Sequence, residues 1–214
     1  MIGRRGLLVC GTALAGTSPT ISPALPPVLA FDVVRDGNRV GQHQVAFRQD
    51  GGMVTATIAV EIIVRLGPIV LYRYNHNGRE TWRDGEFESL TTETNDSGTR
   101  FKVSMTRTAA NVVVDSGSRP PAAMPRETIP LTHWNARCME RPLVNPQDGV
   151  PVTSSVVVHG EDTVGLANGQ MVRARHFSLV GVVTLDDWYD ATPLWTALRT
   201  KAHDGSTVEY RRVT

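Results

Sequence analysis

The sequence is poor in lysine and cysteine and has no long apolar run. Only Lys102 and Lys201 stand among its 22 basic residues, and we interpret the arginine excess as a GC-rich coding bias rather than an anion-binding device. The cysteines are Cys10 and Cys138, so a framework of several disulfides is excluded. No apolar stretch reaches the roughly 18 to 20 residues that a membrane-spanning helix needs.

Familiar catalytic and cofactor motifs are also missing. The chain contains no Gly-x-Ser-x-Gly elbow, no Cys-x-x-Cys pair, no P-loop and no dinucleotide fingerprint. We therefore expect no cofactor, and any enzymatic activity would need residues that come together only in the folded chain.

The first thirty residues have the features of an export signal. Arg4-Arg5 precede the short apolar stretch Leu7 to Ala15, and Val28-Leu29-Ala30 fits a cleavage site. Both a twin-arginine and an ordinary Sec signal fit this pattern. We expect residues 1–30 to be a signal peptide and 31–214 to be one periplasmic or secreted domain without a transmembrane segment.

Removal of this signal would change the charge and the thiols. It deletes two of the 22 basic residues and none of the 21 acidic ones, so the formal charge moves from +1 to −1. We therefore expect no nucleic-acid partner, because such partners require an excess of positive charge. Cys138 would be left alone, and we expect it to be buried and inert rather than reactive.

The longest regular pattern predicts extended strands. From Val54 to Leu66 every even position is apolar and most odd positions are polar, which is the period of a strand with one buried face. A second strand is predicted from Ile69 to Arg83. Thirteen residues at about 3.3 Å each exceed the usual strand length, and such strands build curled sheets or barrels.

Seven Asx-Gly pairs punctuate the chain at short intervals, and these residues accept the positive φ angles of tight turns. The pairs are Asp36-Gly37, Asp50-Gly51, Asn77-Gly78, Asp84-Gly85, Asp148-Gly149, Asn168-Gly169 and Asp204-Gly205. Because most of them separate strand-like runs, and because no helix of ten or more residues can be read, we predict an all-β fold. The predicted architecture is a single curled antiparallel sheet, or half-barrel, of about eleven strands.

Residues 117–145 differ from the rest of the chain. They contain five prolines and no clear period, and a loop of this length inside a domain is typical of a lid. His133-Trp134-Asn135 is its most suggestive cluster. As a lid, Trp134 would cover an apolar ligand while His133 and Asn135 orient it; alternatively, Trp134 fills the barrel end and His133 bonds a backbone carbonyl.

Several short segments resemble the periplasmic LolA/LolB lipoprotein-carrier fold and related exported families. They are Phe31-Asp32-Val33 with Val40-Gly41, Tyr72-Arg73-Tyr74 leading to Glu80 through Gly85, Leu131 through Asn135, and Trp188-Tyr189-Asp190 with Asp204-Gly205-Ser206. The resemblance implies a curled sheet around an apolar cavity. It makes a lipid or other apolar molecule the expected ligand and an envelope protein a possible partner. The expected ligand-binding residues are Trp134, His133, Asn135, Tyr72, Tyr74, Trp82, Trp188 and Tyr189.

Two other functions stay open. The first is a cofactor-independent hydrolase or lyase in the same cavity, with His133 as general base and Asp84 or Asp190 as its orienting carboxylate. The second is a sheet-edge interaction module for an envelope complex.

We expect no metal site. His76 and Glu80 lack a third ligand, and the carboxylates at Asp186, Asp187 and Asp190 lack the spacing of a calcium loop.

Overall fold

The computed structural model describes residues 25–213, which form sixteen strands and one short 3-10 helix. The first eight strands are β1 (Val28–Arg35), β2 (Asn38–Asp50), β3 (Met53–Leu66), β4 (Ile69–Arg83), β5 (Glu86–Asp96), β6 (Thr99–Arg107), β7 (Val112–Asp115) and β8 (Ala122–Met124). The others are β9 (Ile129–Pro130), β10 (Leu143–Val144), β11 (Pro151–Val152), β12 (Ser154–Gly165), β13 (Met171–Gly181), β14 (Leu185–Tyr189), β15 (Trp195–Lys201) and β16 (Thr207–Val213). Within this range no helix has the length and apolar character needed to cross a membrane.

Thirteen of these strands form one antiparallel sheet in the order β12-β13-β14-β15-β16-β1-β2-β3-β4-β5-β6-β7-β8. Consecutive strands are neighbours from β1 to β8 and from β12 to β16, and the pairing of β1 with β16 joins these two runs. The edge strands β8 and β12 do not pair with each other, so the sheet is not closed into a barrel. The predicted all-β class, built on one large antiparallel sheet, is confirmed.

The faces of β3 follow the predicted alternation. Ala56, Ile58 and Val60 are buried, whereas Thr57 and Ala59 between them are exposed. Because successive strand residues point to opposite faces, the even positions define an inner face of the sheet. One core cluster on this inner face joins residues of β6 to residues of β13, from opposite halves of the sheet, so the sheet curls around its core.

Six of the seven Asx-Gly pairs connect strands, and the seventh lies inside the predicted strand Ile69–Arg83, which the structure confirms as β4. Five of the Asx-Gly pairs connect paired strands of the large sheet, and Asp148-Gly149 lies between β10 and β11. Asn77-Gly78 instead lies within the continuous strand β4, paired to both β3 and β5. A Cβ at Gly78 would stand 3.2 Å from Thr92 Cγ2 and 3.5 Å from Ile58 Cδ1. Gly78 therefore serves close packing on the inner face rather than a turn.

The predicted lid is part of a longer stretch, residues 116–153, which we name the crossing segment. It leads from β7 through the edge strand β8 to the start of β12 and carries a second sheet of three two-residue strands, β9, β10 and β11. A 3-10 helix, η1 (Ala136–Met139), separates β9 from β10. These short strands are the main reason that the structure has sixteen strands rather than about eleven, since two residues are too few to show a period.

The predicted export signal lies largely outside the described residues, which begin at Leu25. Its last three residues belong to β1, where Leu29 is only 4% exposed and pairs with Val45 of β2. The predicted boundary after Ala30 therefore falls inside the first strand of the sheet.

Candidate functional site

The crossing segment packs into the curl of the large sheet and fills one end of it. Leu131, Trp134, Cys138, Leu143 and Val144 all belong to the main core cluster. Main-chain bonds from Ile129 and Leu131 to the region of β10 hold the segment in shape. Its polar contacts with the large sheet include two buried carboxylates, one on each half of the sheet.

The first carboxylate is Glu80, on the inner face of β4 and completely buried. Its Oε2 accepts hydrogen bonds from the indole Nε1 of Trp82 at 2.8 Å and of Trp134 at 3.1 Å. Burial raises the pKa of Glu80 to about 7, although the indole donors act in the opposite direction. Glu80 thus links the crossing segment to β4 by a hydrogen bond, and the Glu80 carboxyl gains or loses its proton near neutral pH.

The second carboxylate is Asp187 of β14, also completely buried. Its Oδ2 lies 2.8 Å from Nδ1 of His133, and its Oδ1 accepts a hydrogen bond from Trp195 Nε1 at 2.9 Å. The His133 ring stacks on the Trp195 ring at 5.3 Å. His133 has a φ of 63°, an uncommon conformation for a residue with a Cβ. This strained residue is therefore held by its side-chain partners.

The Tyr189 hydroxyl completes this contact by donating to the His133 carbonyl at 2.8 Å. The same hydroxyl lies 3.2 Å from the Cys138 sulfur. Burial raises the pKa of the Cys138 thiol well above its ordinary value, and a thiol that stays protonated is a poor nucleophile. Cys138 is the free, buried cysteine expected from the sequence.

Two further histidines lie on the inner face and are neutral. Burial lowers the pKa of His43 to about 3 and that of His76 to about 4. His76 Nδ1 lies 2.8 Å from Thr94 Oγ1, whereas His43 Nε2 has no hydrogen-bond partner. The inner face is therefore a core of aromatic rings and neutral imidazoles around two carboxylates.

The other end of the curl is open. A cavity of about 610 Å³ lies there, between the C-terminal ends of β1 and β3 and the N-terminal ends of β4 and β16. Its apolar lining consists of Val33, Val40, Ile62, Val64, Leu71, Ala202 and Val208, with the ring of Tyr72. Charged and polar groups stand at one side of it, where Arg35 forms an ion pair with Asp204 and donates to Ser206 Oγ at 2.8 Å. Asp96 and His203 also belong to the lining, so the cavity is mainly apolar with charged and polar groups at its border.

The hairpin that connects β3 and β4 borders this cavity and is apolar at its tip. Leu66, Ile69 and Leu71 are 67%, 60% and 59% exposed, and Leu71 also lines the cavity. Soluble proteins rarely group large exposed apolar side chains without a binding role. We name these three residues with Val70 the hairpin tip.

The predicted ligand-binding residues divide into three groups. Tyr72 lines the cavity, and Tyr74 stacks beside it at 6.5 Å while its hydroxyl donates to Gln147 of the crossing segment at 3.2 Å. The second group, set apart from the cavity lining, packs at or near the filled end. It comprises Trp82, His133, Trp134, Asn135 and Tyr189.

Trp188 forms the third group, on the opposite face of the sheet. It packs there with Val164, Ala174 and Ala197.

The two aspartates predicted to orient His133 have other partners. Asp190 accepts a hydrogen bond from Arg212 at 2.9 Å, and Asp84 forms the turn between β4 and β5 with a φ of 50°. Asp187 holds His133 instead. The signal for it was available in the alternation of β14, which places Leu185, Asp187 and Tyr189 on one face. The same period in β4 places Glu80 on the inner face with His76 and Trp82.

Comparison with known proteins adds a family and a fold. Residues 31–213 match the model of the family described as DUF6134, a domain of unknown function. No curated protein matches. A solved structure, the crystal structure of a beta-barrel-like protein of the domain of unknown function DUF1849 from Brucella abortus, is similar with a TM-score of 0.61. That match covers 87% of this chain and 95% of the other at 9% identity, which shows a shared fold alone.

Proposed function

The chain belongs to the DUF6134 family, and from the geometry of its inner face we propose that it binds and carries a lipid or other apolar molecule. The observation that carries this proposal is the apolar cavity of about 610 Å³ bordered by the exposed hairpin tip. Its volume lies within the roughly 300 to 1,000 Å³ of small-molecule sites. The resemblance to LolA/LolB carriers, a prediction from the sequence, agrees with this use of a curled sheet.

The arrangement of the cavity supports one orientation of the ligand. An acyl chain would lie against Val33, Ile62 and Val64, where it removes apolar surface from water. A polar head group would lie at the Arg35–Asp204 edge, where a charged donor and acceptor are within reach. The hairpin tip would meet the membrane or the partner from which the ligand comes.

Location and partners are part of the same proposal. An exported carrier would work in the periplasm or outside the cell, as the predicted signal at residues 1–30 indicates. An envelope protein could add a strand to the sheet edge at β12, where Val156, Val157 and Val158 are exposed.

A cavity-filling pair of variants tests the proposal. Val64 points into the cavity and Ile63, the preceding residue of β3, is absent from its lining. Binding of a fluorescent fatty acid to the purified protein should weaken at least tenfold in Val64→Trp, because the indole occupies the ligand volume. Ile63→Trp should stay within about twofold of the wild type. Absence of probe binding by the wild type, or equal loss in both variants, would refute carriage in this cavity.

Catalysis is a second candidate, because the His133–Asp187 pair has the geometry of a base and its orienting carboxylate. His133 is not part of the cavity lining, and burial raises the pKa of the neighbouring Cys138 thiol, which lies 3.2 Å from the Tyr189 hydroxyl. Turnover of an ester or amide by the wild type that is lost in His133→Gln, with an unchanged melting temperature, would favour catalysis over carriage.

A further inference from the structure

Three side chains that can bind a metal ion converge on the outer face of the sheet. They are His159 of β12, His176 of β13 and Asp186 of β14, and one ligand atom from each lies within 4.8 Å of the other two. His159 is exposed, and the other two are partly exposed. The cluster lies at the sheet edge, away from the apolar cavity.

The strand register explains why these residues meet. Ser178 of β13 stands opposite Asp186 of β14, so that His176, two residues earlier on the same face, is the diagonal neighbour of Asp186. His159 arrives through a bulge, since the pairing passes from Val158 with Phe177 directly to Gly160 with His176. Gly160 has a φ of 90°, which only glycine adopts readily. Bulges commonly redirect a side chain toward a functional site.

The hydrogen bonds already point the three ligand atoms at one place. His176 Nε2 lies 3.1 Å from Asp186 Oδ1, and His159 Nε2 lies 2.8 Å from Ser178 Oγ, which donates to the same Asp186 oxygen. The other ring nitrogen of His176, Nδ1, lies 3.8 Å from Asp162 Oδ2. That distance is too long for a hydrogen bond, so Asp162 adds a nearby negative charge rather than a partner that orients the ring.

Ring stacking holds the two imidazoles next to each other. His159 stacks on His176 with centroids 4.3 Å apart, and His176 stacks on Trp188 at 4.4 Å. The stack keeps both side chains at the cluster, and one ring must tilt out of it for both nitrogens to reach a single ion, because the ring planes are nearly parallel.

We propose that this cluster binds a divalent transition-metal ion, with Zn²⁺ as its probe. Two imidazoles and one carboxylate suit Zn²⁺ and its neighbours, whereas Ca²⁺ and Mg²⁺ require oxygen ligands. Zinc bonds of about 2.1 Å imply ligand atoms about 3.4 Å apart in a tetrahedron. The present separations of up to 4.8 Å shorten to that spacing when the side chains rotate toward a common point. Three protein ligands leave a fourth position for water or a further donor.

Calorimetric titration of the purified, untagged full chain with Zn²⁺ tests the site. All variants, and the wild type used for comparison, also carry Cys10→Ser, so that the thiol of Cys10 cannot compete for the ion. One ion should bind per chain, and His159→Ala and Asp186→Asn should each weaken binding at least about tenfold. His203→Ala, which removes another exposed histidine in the turn between β15 and β16, is the matched control and should leave the affinity unchanged.

Substitution with Co²⁺ gives an independent readout, because its visible absorption reports coordination by nitrogen and oxygen ligands and should change in His159→Ala. His159 is exposed, so this variant should keep the melting temperature of the metal-free protein. The inference is overturned if the wild type binds no Zn²⁺, if both site variants bind it like the wild type, or if His203→Ala weakens binding as much as they do.

Discussion

Trp134 and Glu80 are 54 positions apart in the chain and joined inside the core by a hydrogen bond of 3.1 Å from the indole to the carboxylate. The adjacent His133 makes the corresponding contact with Asp187, on the other half of the sheet. Two consecutive residues of the crossing segment thus reach two buried carboxylates on β4 and β14. Both carboxylates are completely buried, and a buried charge without a partner is costly. The contacts therefore fix how the segment lies inside the curl.

Trp134 should behave as a core residue rather than as the cover of a ligand. It is 5% exposed and packs edge-to-face on Phe47 and Trp82. Trp134→Ala should lower the free energy of unfolding by about 3 to 5 kcal/mol, as expected for truncation of a buried aromatic residue. Urea unfolding measures this change. A variant as stable as the wild type, with weakened binding of an apolar probe, would restore the role of a lid.

The contribution of the Trp134–Glu80 hydrogen bond to stability can be measured apart from the packing of the Trp134 ring. Trp134→Phe keeps most of the apolar volume and removes the donor, so at pH 8 it should cost about 1 to 3 kcal/mol in unfolding free energy. Trp188→Phe is the matched control, because Trp188 Nε1 is buried without a partner and its loss breaks no hydrogen bond. Equal costs in the two variants would mean that the bond to Glu80 contributes nothing.

Glu80 should make the protein less stable as the pH rises toward neutrality. Its pKa is about 7 in the folded protein, above the ordinary value of 4.5, so the folded state holds the proton more tightly than the unfolded state. Its contribution is fully present below about pH 4.5 and lost as the pH rises through 7. The free energy of unfolding of Glu80→Gln, minus that of the wild type, should therefore rise by about 3 kcal/mol across this interval. A difference independent of pH would contradict the raised pKa.

A charge should destabilise the protein strongly on the inner face of β3 and only slightly on the outer face. Ile58 is 2% exposed and Thr57 is exposed, so Ile58→Asp buries an unpaired carboxylate and should cost several kcal/mol, enough to unfold a marginal domain. Thr57→Asp should change the midpoint of thermal unfolding only slightly. Similar melting curves for both variants would mean that the inner face of β3 is not the core.

The first strand should need residues that precede the predicted cleavage site. A chain that begins at Phe31 lacks Leu29 and its pairing with Val45, whereas one that begins at Leu25 keeps both. Loss of a buried leucine side chain should cost the shorter chain about 2 to 5 kcal/mol. Denaturant unfolding of the two chains compares them directly. If they are equally stable, β1 does not depend on residues 25–30.

The sequence by itself determined the features that depend on neighbours along the chain. Alternation from Val54 to Leu66 specifies the inner and outer faces of β3, because successive strand side chains point in opposite directions. Asx-Gly pairs specify most hairpin turns, because these residues accept positive φ. Together they lead to an all-β antiparallel sheet, which the structure confirms.

Tertiary structure alone decided which distant residues meet. Nothing near His133 in the chain indicates Asp187, since their contact depends on how the crossing segment lies across the curl. Asn77-Gly78 has the sequence of a turn, yet neighbouring strands and the packing of Thr92 and Ile58 keep it extended. His159 joins His176 only because a bulge shifts the register by one residue. Local sequence sets the direction of a side chain, but the pairing of strands far apart in the chain sets what that side chain touches.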